Sequence, residues 1–356
     1  KVDRLIFFER GNFHLDMSFF NFTNLKKDPF TKKFIEYFGS PVDKNFYKLN
    51  QSAENKKFIY YANLASSFQS LLEDVLDKIF EYSINITKIK NICYAGGVAL
   101  NAVANSKLLA KYKNLFIYPA AGDSGCSAGA AQMFYYHVLK KKRKLTQTTM
   151  YLGKKYTSQE IEKALQRFNV QKYTKYSEQV ELYSDLAKLL DENMVIGWFS
   201  GRSEFGPRAL GSRSIIANPK DKLMKDIINS KIKFRESFRP FAPIILKEKV
   251  FDYFDIKEQP DSFHPSNFMI SVYKSKLSEK FASAVNVDNT ARVQIIPKNS
   301  SKIRKLLEIF NERTGLPILI NTSFNRKGEA IVEDPIDALN VFYYTDIDYL
   351  VLENYL

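Results

Sequence analysis

Apolar and polar residues alternate from Arg4 to Phe20 around the dipeptide Gly11-Asn12, and this period of two, broken by a turn, predicts two strands joined as a hairpin. From Ala62 to Tyr82 the period lengthens. Leu64, Phe68, Leu71, Leu72, Val75, Leu76 and Ile79 fall on one helical face and predict a long amphipathic helix. A strand-like run, Asn91 to Tyr94, then meets Ala95-Gly96-Gly97 and a helical pattern from Val98 to about Lys111. The theme repeats at Phe116 to Tyr118, which leads through Ala120-Ala121-Gly122-Asp123-Ser124-Gly125 into a small-residue helix. Two successive strand, glycine-turn, helix units are what an α/β nucleotide-binding domain looks like near its crevice.

A basic tract from His137 to Lys144 ends that helix, and the polar stretch from Thr146 to Thr149 is featureless. A domain boundary is therefore expected between residues 147 and 148. Beyond it the patterns predict helices over 158–168, 182–193, 223–232, 303–313 and 335–344, with strands over 195–199 and 317–320. Pro335 suits the first turn of the last helix. A length of 356 residues fits two α/β domains, 1–147 and 148–356, since domains usually run about 100 to 200 residues.

No apolar run reaches the roughly 18 to 20 residues a membrane span needs. The two cysteines, Cys93 and Cys126, sit in apolar or glycine-rich motifs; buried thiols in a reducing, cytoplasmic compartment are expected. Lys1 opens the chain where a methionine would start it, and no leader pattern follows, so the sequence reads as a fragment whose native start lies upstream. The three histidines, His14, His137 and His264, are too far apart for a two-histidine metal motif built from neighbours. A net charge of +14 and a pI near 9.4 imply attraction to anions, leaving nucleic acid, membrane surface and phosphorylated small molecules all open.

Candidate chemistry lies in two constellations. Backbone amides approach a phosphate or ribose closely only where side chains are small, so Gly96-Gly97 and Gly122-Asp123-Ser124-Gly125 suggest a nucleotide cradle. Asp123 stands where it would hold a metal, polarise a hydroxyl, or simply cap a helix. The second constellation is basic: from Arg202 to Arg239 there are ten Lys or Arg against four acids. Gly206-Pro207-Arg208-Ala209-Leu210-Gly211 and Phe238-Arg239-Pro240-Phe241-Ala242-Pro243 mount arginines on stiff backbone, and guanidinium forks held in place suit phosphate oxygens. Lys233 adds a point charge. Arg292 and the strand-end run Asn321-Thr322-Ser323-Phe324-Asn325 would complete a site for a small planar polar group, although each residue also has a plain reading as a turn, cap or surface pair.

Taken together, six strings resemble the O-carbamoyltransferases related to nodulation protein NodU and to the enzymes that carbamoylate aminoglycosides and cephalosporins. They are Gly96 to Asn101, Pro119 to Gly125, Gly201 to Gly211, Lys233 to Pro243, Asp288 to Gln294 and Asn321 to Asn325. The resemblance covers almost the whole chain. It implies the C-terminal half of an actin/sugar-kinase-like (ribonuclease-H-like) domain followed by a YrdC-like, threonylcarbamoyl-adenylate-synthase-like α/β domain with a twisted mixed sheet. It implies the substrates ATP with Mg, carbamoyl phosphate and a hydroxyl-bearing acceptor, a carbamoyl-adenylate intermediate, and iron or another metal ion in the first domain. Carried over by motif, Lys233, Arg239 and Arg208 would be catalytic. Arg208, Arg213, Lys233, Arg235, Arg239, Arg292, Asn321, Ser323 and Asn325 would bind carbamoyl phosphate and ATP. Gly96, Gly97, Asn101, Gly122 and Gly125 would contact adenosine, and Asp123 would be a metal ligand.

Two departures stand out. The family's pair of metal-binding histidines, one helical turn apart, would lie ahead of this sequence, and Asn286 and Asn289 replace the usual His and Gly before Thr290-Ala291-Arg292. A tRNA threonylcarbamoylation factor shares both folds but keeps them on separate chains. A basic RNA-binding module would use the charge near Lys140 but gives no reason for proline-locked arginines. The reading therefore favours an enzyme without a membrane or nucleic-acid partner, and it leaves room for a homodimer.

Overall fold

The computed structural model describes residues 2–9, 11–23, 28–41, 55–143, 149–257, 260, 263–298 and 301–356. The boundary expected between 147 and 148 lies outside the described residues. The chain forms two compact units, Lys1–Ile92 with Lys107–Phe116, and Cys93–Ser106 with Ile117–Leu356.

In the smaller unit, β1 (Ile6–Glu9) and β2 (Asn12–Leu15) pair as the expected antiparallel hairpin. A short helix α1 (Lys32–Phe38) closes an aromatic cluster in which Val2, Leu5, Phe19 and Phe38 are buried and Phe20, Phe34 and Phe68 pack against them. Phe68 belongs to α2 (Lys56–Thr87), 32 residues long and capped by the Asn55 side chain; the helix expected over 62–82 is its middle. Asp77 of α2 takes an ion pair from Lys111 and a hydrogen bond from the Tyr112 hydroxyl.

The glycine-turn units appear as expected. β3 (Ile92–Tyr94) and β4 (Leu115–Ile117) pair with one another and lead to α3 (Ala102–Lys111) and α4 (Cys126–Met133). Cys93 and Cys126 are free and exposed, which corrects the expectation of buried thiols: each borders a glycine turn rather than a packed core.

The larger unit is organised by a six-stranded mixed sheet. Its helices begin with α5 (Ser158–Arg167), which carries a reciprocal Thr157–Glu160 cap, and α6 (Gln179–Asp191). The strands follow as β5 (Ile196–Phe199) and β6 (Arg213–Ala217), then, after the short helix α7 (Met224–Ile227), β7 (Ala242–Leu246). α8 (Val250–Tyr253) and the two-residue strands β8 (Tyr273–Lys274) and β9 (Thr290–Ala291) precede β10 (Gln294–Ile296). The chain closes with α9 (Lys302–Thr314), β11 (Ile318–Ser323), α10 (Pro335–Tyr343) and β12 (Tyr349–Leu352). Across the sheet the order is β10-β7-β11-β6-β5-β12. Only the outer pairs, β10 with β7 and β12 with β5, are parallel.

Strands β5, β6, β7 and β10 are buried at every residue, so they lack the alternation that marks a half-exposed strand. Ile215, Ile244, Ile245 and Ile318 are wholly buried, each worth roughly 1.5–3 kcal/mol of transfer free energy. Among the described residues no helix is long and apolar enough to cross a membrane.

Candidate active site

The antiparallel centre of the sheet decides where the site forms. Ser323 at the end of β11 pairs with Ser214 near the start of β6, and Asn321 pairs with Ala242 at the start of β7. β10 runs parallel to β7, with Gln294 opposite Ile244. One end of the sheet thus receives the Arg208 loop that enters β6, the Arg235–Arg239 loop that enters β7, Arg292 two residues before β10, and the Asn321–Asn325 exit from β11. Segments far apart in sequence arrive together because alternating strand directions put entries and exits at the same edge.

The charges gathered at this end act on one another. The Arg292 guanidinium is pushed down to about 9, first by burial and then by the positive charges of Arg208 and Arg235. Arg235 is lowered to about 10 by burial and by Arg239, with Glu236 opposing. Arg208 is lowered by burial. The Nε atoms of Arg208 and Arg292 are buried without a hydrogen-bond partner, and the best contact of Arg208 is a 3.5 Å approach to the Leu100 carbonyl. Three neighbouring guanidinium groups with so little acidic compensation are an arrangement that an anion completes.

Lys233, 4% exposed, is held by oxygens only. Its three ammonium hydrogens are shared among the Ser323 carbonyl and hydroxyl oxygens and the Asn325 carbonyl and side-chain oxygens, the last at 2.7 Å. Burial, then the Arg235 charge, lowers it to about 7; the four acceptors work against that. Ser323 and Asn325 also line a cavity of about 450 Å³, together with Ser203, Arg213, Glu329 and Glu333.

Not every expected residue joins this group. Arg213 is fully buried, but it is committed to the Gly201, Ser212 and Lys154 carbonyls and lies 3.5 Å over the Phe199 ring; what it offers the cavity is shape and a fixed charge. Arg239 sits at the rim, its side chain 53% exposed and paired with Glu236 at 2.8 Å. Arg235 lies beneath, with Nε on the Asn229 side-chain oxygen and the guanidinium over Phe241.

The first constellation lies in the same unit. The Gly96 amide donates to the Ala121 carbonyl at 2.8 Å, which sets the Gly96-Gly97 and Gly122–Gly125 turns side by side. At Gly125 a Cβ would come 2.1 Å from the Ala120 carbonyl oxygen, so only glycine permits this closure. Gly206, at φ +124, brings the Arg208 loop against Ala120. The Asn101 side chain caps α3 by accepting from the Ala104 amide. Asp123 is exposed, and no three His, Cys, Asp or Glu among the described residues could share a metal. The donors present do not fit a metal ion, and no step below runs through one.

Two residues escaped the sequence reading. Glu204 is a buried carboxylate whose Oε1 accepts from the amides of Leu210, Ser212 and Arg213, folding the Arg208 loop around itself; burial raises its carboxyl above the ordinary range against those amides. Gln294 bridges Leu210 and Asn321. An acid just ahead of the Gly206-Pro207-Arg208 turn, and a glutamine opening an otherwise apolar strand, were the available signals.

The carbamoyltransferase N-terminus model matches residues 4–132 and the carbamoyltransferase C-terminus model matches residues 187–356. An uncharacterized protein of Synechocystis is 38% identical over 97% of this chain and 58% of that protein. Nodulation protein NolNO of Sinorhizobium fredii is 37% identical over 83% of the chain and 44% of its own length. Nodulation protein NolO of Bradyrhizobium diazoefficiens is 35% identical over 83% and 54%. The chain therefore spans about half the length of the curated relatives it matches. A crystal structure of full-length HypF in the phosphate- and nucleotide-bound form matches at 19% identity and a TM-score of 0.35, covering 49% of this chain and 25% of that one, a likeness too weak to carry weight. With both family halves matched in order, and with the cationic site falling inside the C-terminal match, the chain belongs to the carbamoyltransferase family.

Proposed function

We propose that the chain takes part in carbamoyl transfer: water splits carbamoyl phosphate into carbamate and orthophosphate, the carbamate displaces pyrophosphate from ATP with Mg to give carbamoyl-adenylate, and the carbamoyl group passes to a hydroxyl of a small-molecule or sugar acceptor as AMP leaves. The observation that carries this reading is the convergence of the partly buried Arg208, Arg235 and Arg292 beside the buried Lys233. Carbamoyl phosphate and the ATP phosphates are oxyanions, and cations fixed in a dry site offset the charge that gathers on phosphate oxygens as pyrophosphate leaves. Ser323, Asn325 and Asn321 would orient the carbamoyl phosphate, Arg213 would shape the wall, and Arg239 would guide anions from the rim.

The resemblance assigns the larger sheet to a YrdC-like domain beginning at residue 148. It assigns residues 1–147 to the back of an actin/sugar-kinase-like domain, in which Gly96, Gly97, Asn101, Gly122 and Gly125 would bind adenosine. A cytoplasmic location suits reactants of this kind.

The test is to incubate the chain with ATP, Mg and carbamoyl phosphate without acceptor and to follow carbamoyl-adenylate by mass spectrometry and pyrophosphate by a coupled assay. Both products are expected from the unmodified chain and neither from Arg292→Ala. If the unmodified chain yields no carbamoyl-adenylate while binding both substrates, the reading is wrong.

A further inference from the structure

We infer that Gln294 is a positioning residue that fixes the Asn321 amide with its oxygen as a lone buried acceptor, so that the site selects an acyl phosphate bearing an N–H donor. This rests on the function proposed above and adds a determinant of selectivity to it.

The argument follows from donor and acceptor bookkeeping. Gln294 Nε2 donates to the Leu210 carbonyl at 2.7 Å, and Asn321 Nδ2 approaches the Ala209 carbonyl at 3.2 Å. A backbone carbonyl only accepts, so both amides have their nitrogen ends fixed by their neighbours rather than by choice of label. The remaining bond then has one solution: Asn321 Nδ2 donates to Gln294 Oε1 at 2.7 Å. Asn321 Oδ1 is left over. It is buried with no hydrogen-bond partner, in a residue 1% exposed.

Its surroundings make that oxygen unusual. Asn321 is bonded to Ala209, next to Arg208, and to Gln294, two residues from Arg292. The arginines and Lys233 supply donors alone, which suits the phosphate and carbonyl oxygens of an acyl phosphate. A carbamoyl group also carries an NH₂ that needs an acceptor, and Asn321 Oδ1 is one. An acetyl group of the same shape presents a methyl there and leaves the oxygen unpartnered; sites built to accept a substrate N–H reject analogues lacking it far more strongly than apolar pockets discriminate by size.

Two stable phosphonates isolate the contrast without any turnover. Phosphonoacetamide carries the NH₂ and acetonylphosphonate the methyl in its place. Calorimetric titration of the unmodified chain is expected to give at least about tenfold tighter binding of phosphonoacetamide. Gln294→Met removes both bonds at nearly constant volume; it frees the Asn321 amide to turn, and the preference is expected to fall toward parity while inorganic pyrophosphate binds as before. Equal affinities in the unmodified chain overturn the inference whether or not the variant folds. An unchanged preference in a folded Gln294→Met overturns the role of Gln294. Failure of the unmodified chain to bind either phosphonate or pyrophosphate would remove the proposed function itself, and this inference with it.

Discussion

Arg208 and Arg292 repel one another across the end of the sheet, each with its Nε buried and without a hydrogen-bond partner. Such a pair lacks compensation within the chain, and the anionic substrate proposed above would supply it. Exchanging Arg292 for Met is therefore expected to leave the ligand-free protein as stable or up to about 3 kcal/mol more stable, because a buried, poorly compensated charge is replaced by apolar volume. The same variant should bind pyrophosphate at least about tenfold more weakly, since hydrogen bonds to charged groups carry roughly 1.5–3 kcal/mol. Thermal unfolding and calorimetric titration on one preparation check both; lower stability together with unchanged affinity would refute the assignment.

Lys233 predicts a proton linkage. Its ammonium is lowered to about 7, and a phosphate dianion alongside favours the charged form and raises that value. Between the free and bound values, binding takes up a proton, so affinity should fall as pH rises above about 7. Titrations at pH 8 in buffers of different ionisation enthalpy should report uptake, and Lys233→Met should abolish the buffer dependence.

Arg235 and Arg239 separate by burial. Arg235 is half-buried, stacked on Phe241 and bonded to Asn229, whereas Arg239 is exposed and paired with Glu236. Removing Arg239 by R239A should change pyrophosphate affinity by about threefold or less at physiological salt, as exposed charges do. R235A should cost about tenfold or more, and the reverse order would place the anion at the rim.

Gly125→Ala tests the closure of the second glycine turn. The added methyl meets the Ala120 carbonyl oxygen at 2.1 Å, and relieving that contact should cost about 1–3 kcal/mol. A urea unfolding midpoint equal to that of the unmodified chain would show that the turn is not closed as described.

Glu204→Leu strips the acceptor from three amides of the Arg208 loop. Unpartnered buried amides cost about 1–3 kcal/mol each, so stability should fall by at least about 2 kcal/mol, with weaker pyrophosphate binding in any fraction that folds. Chemical denaturation with parallel titration is the check.

Sequence alone determined the local elements, because they depend on neighbours a few residues away. Helical spacing marked α2, α9 and α10 to within a few residues at most termini, and the glycine turns stood out as strand-to-helix junctions. It also picked out Arg208, Lys233 and Arg292 as candidates, through the stiffness of their settings and the family strings. The tertiary structure decided what those residues do. Strands β6 and β7 are covered on both faces and carry no alternation to read, so the sheet order, and with it the edge where Arg208, Arg235 and Arg292 meet, is set by pairing of both strands with β11, more than seventy residues further along the chain. Pairing also assigned Arg213 to carbonyl oxygens, Arg239 to the rim, and the free lone pair to Asn321, because burial and hydrogen-bond partners are properties of the packed sheet rather than of the chain.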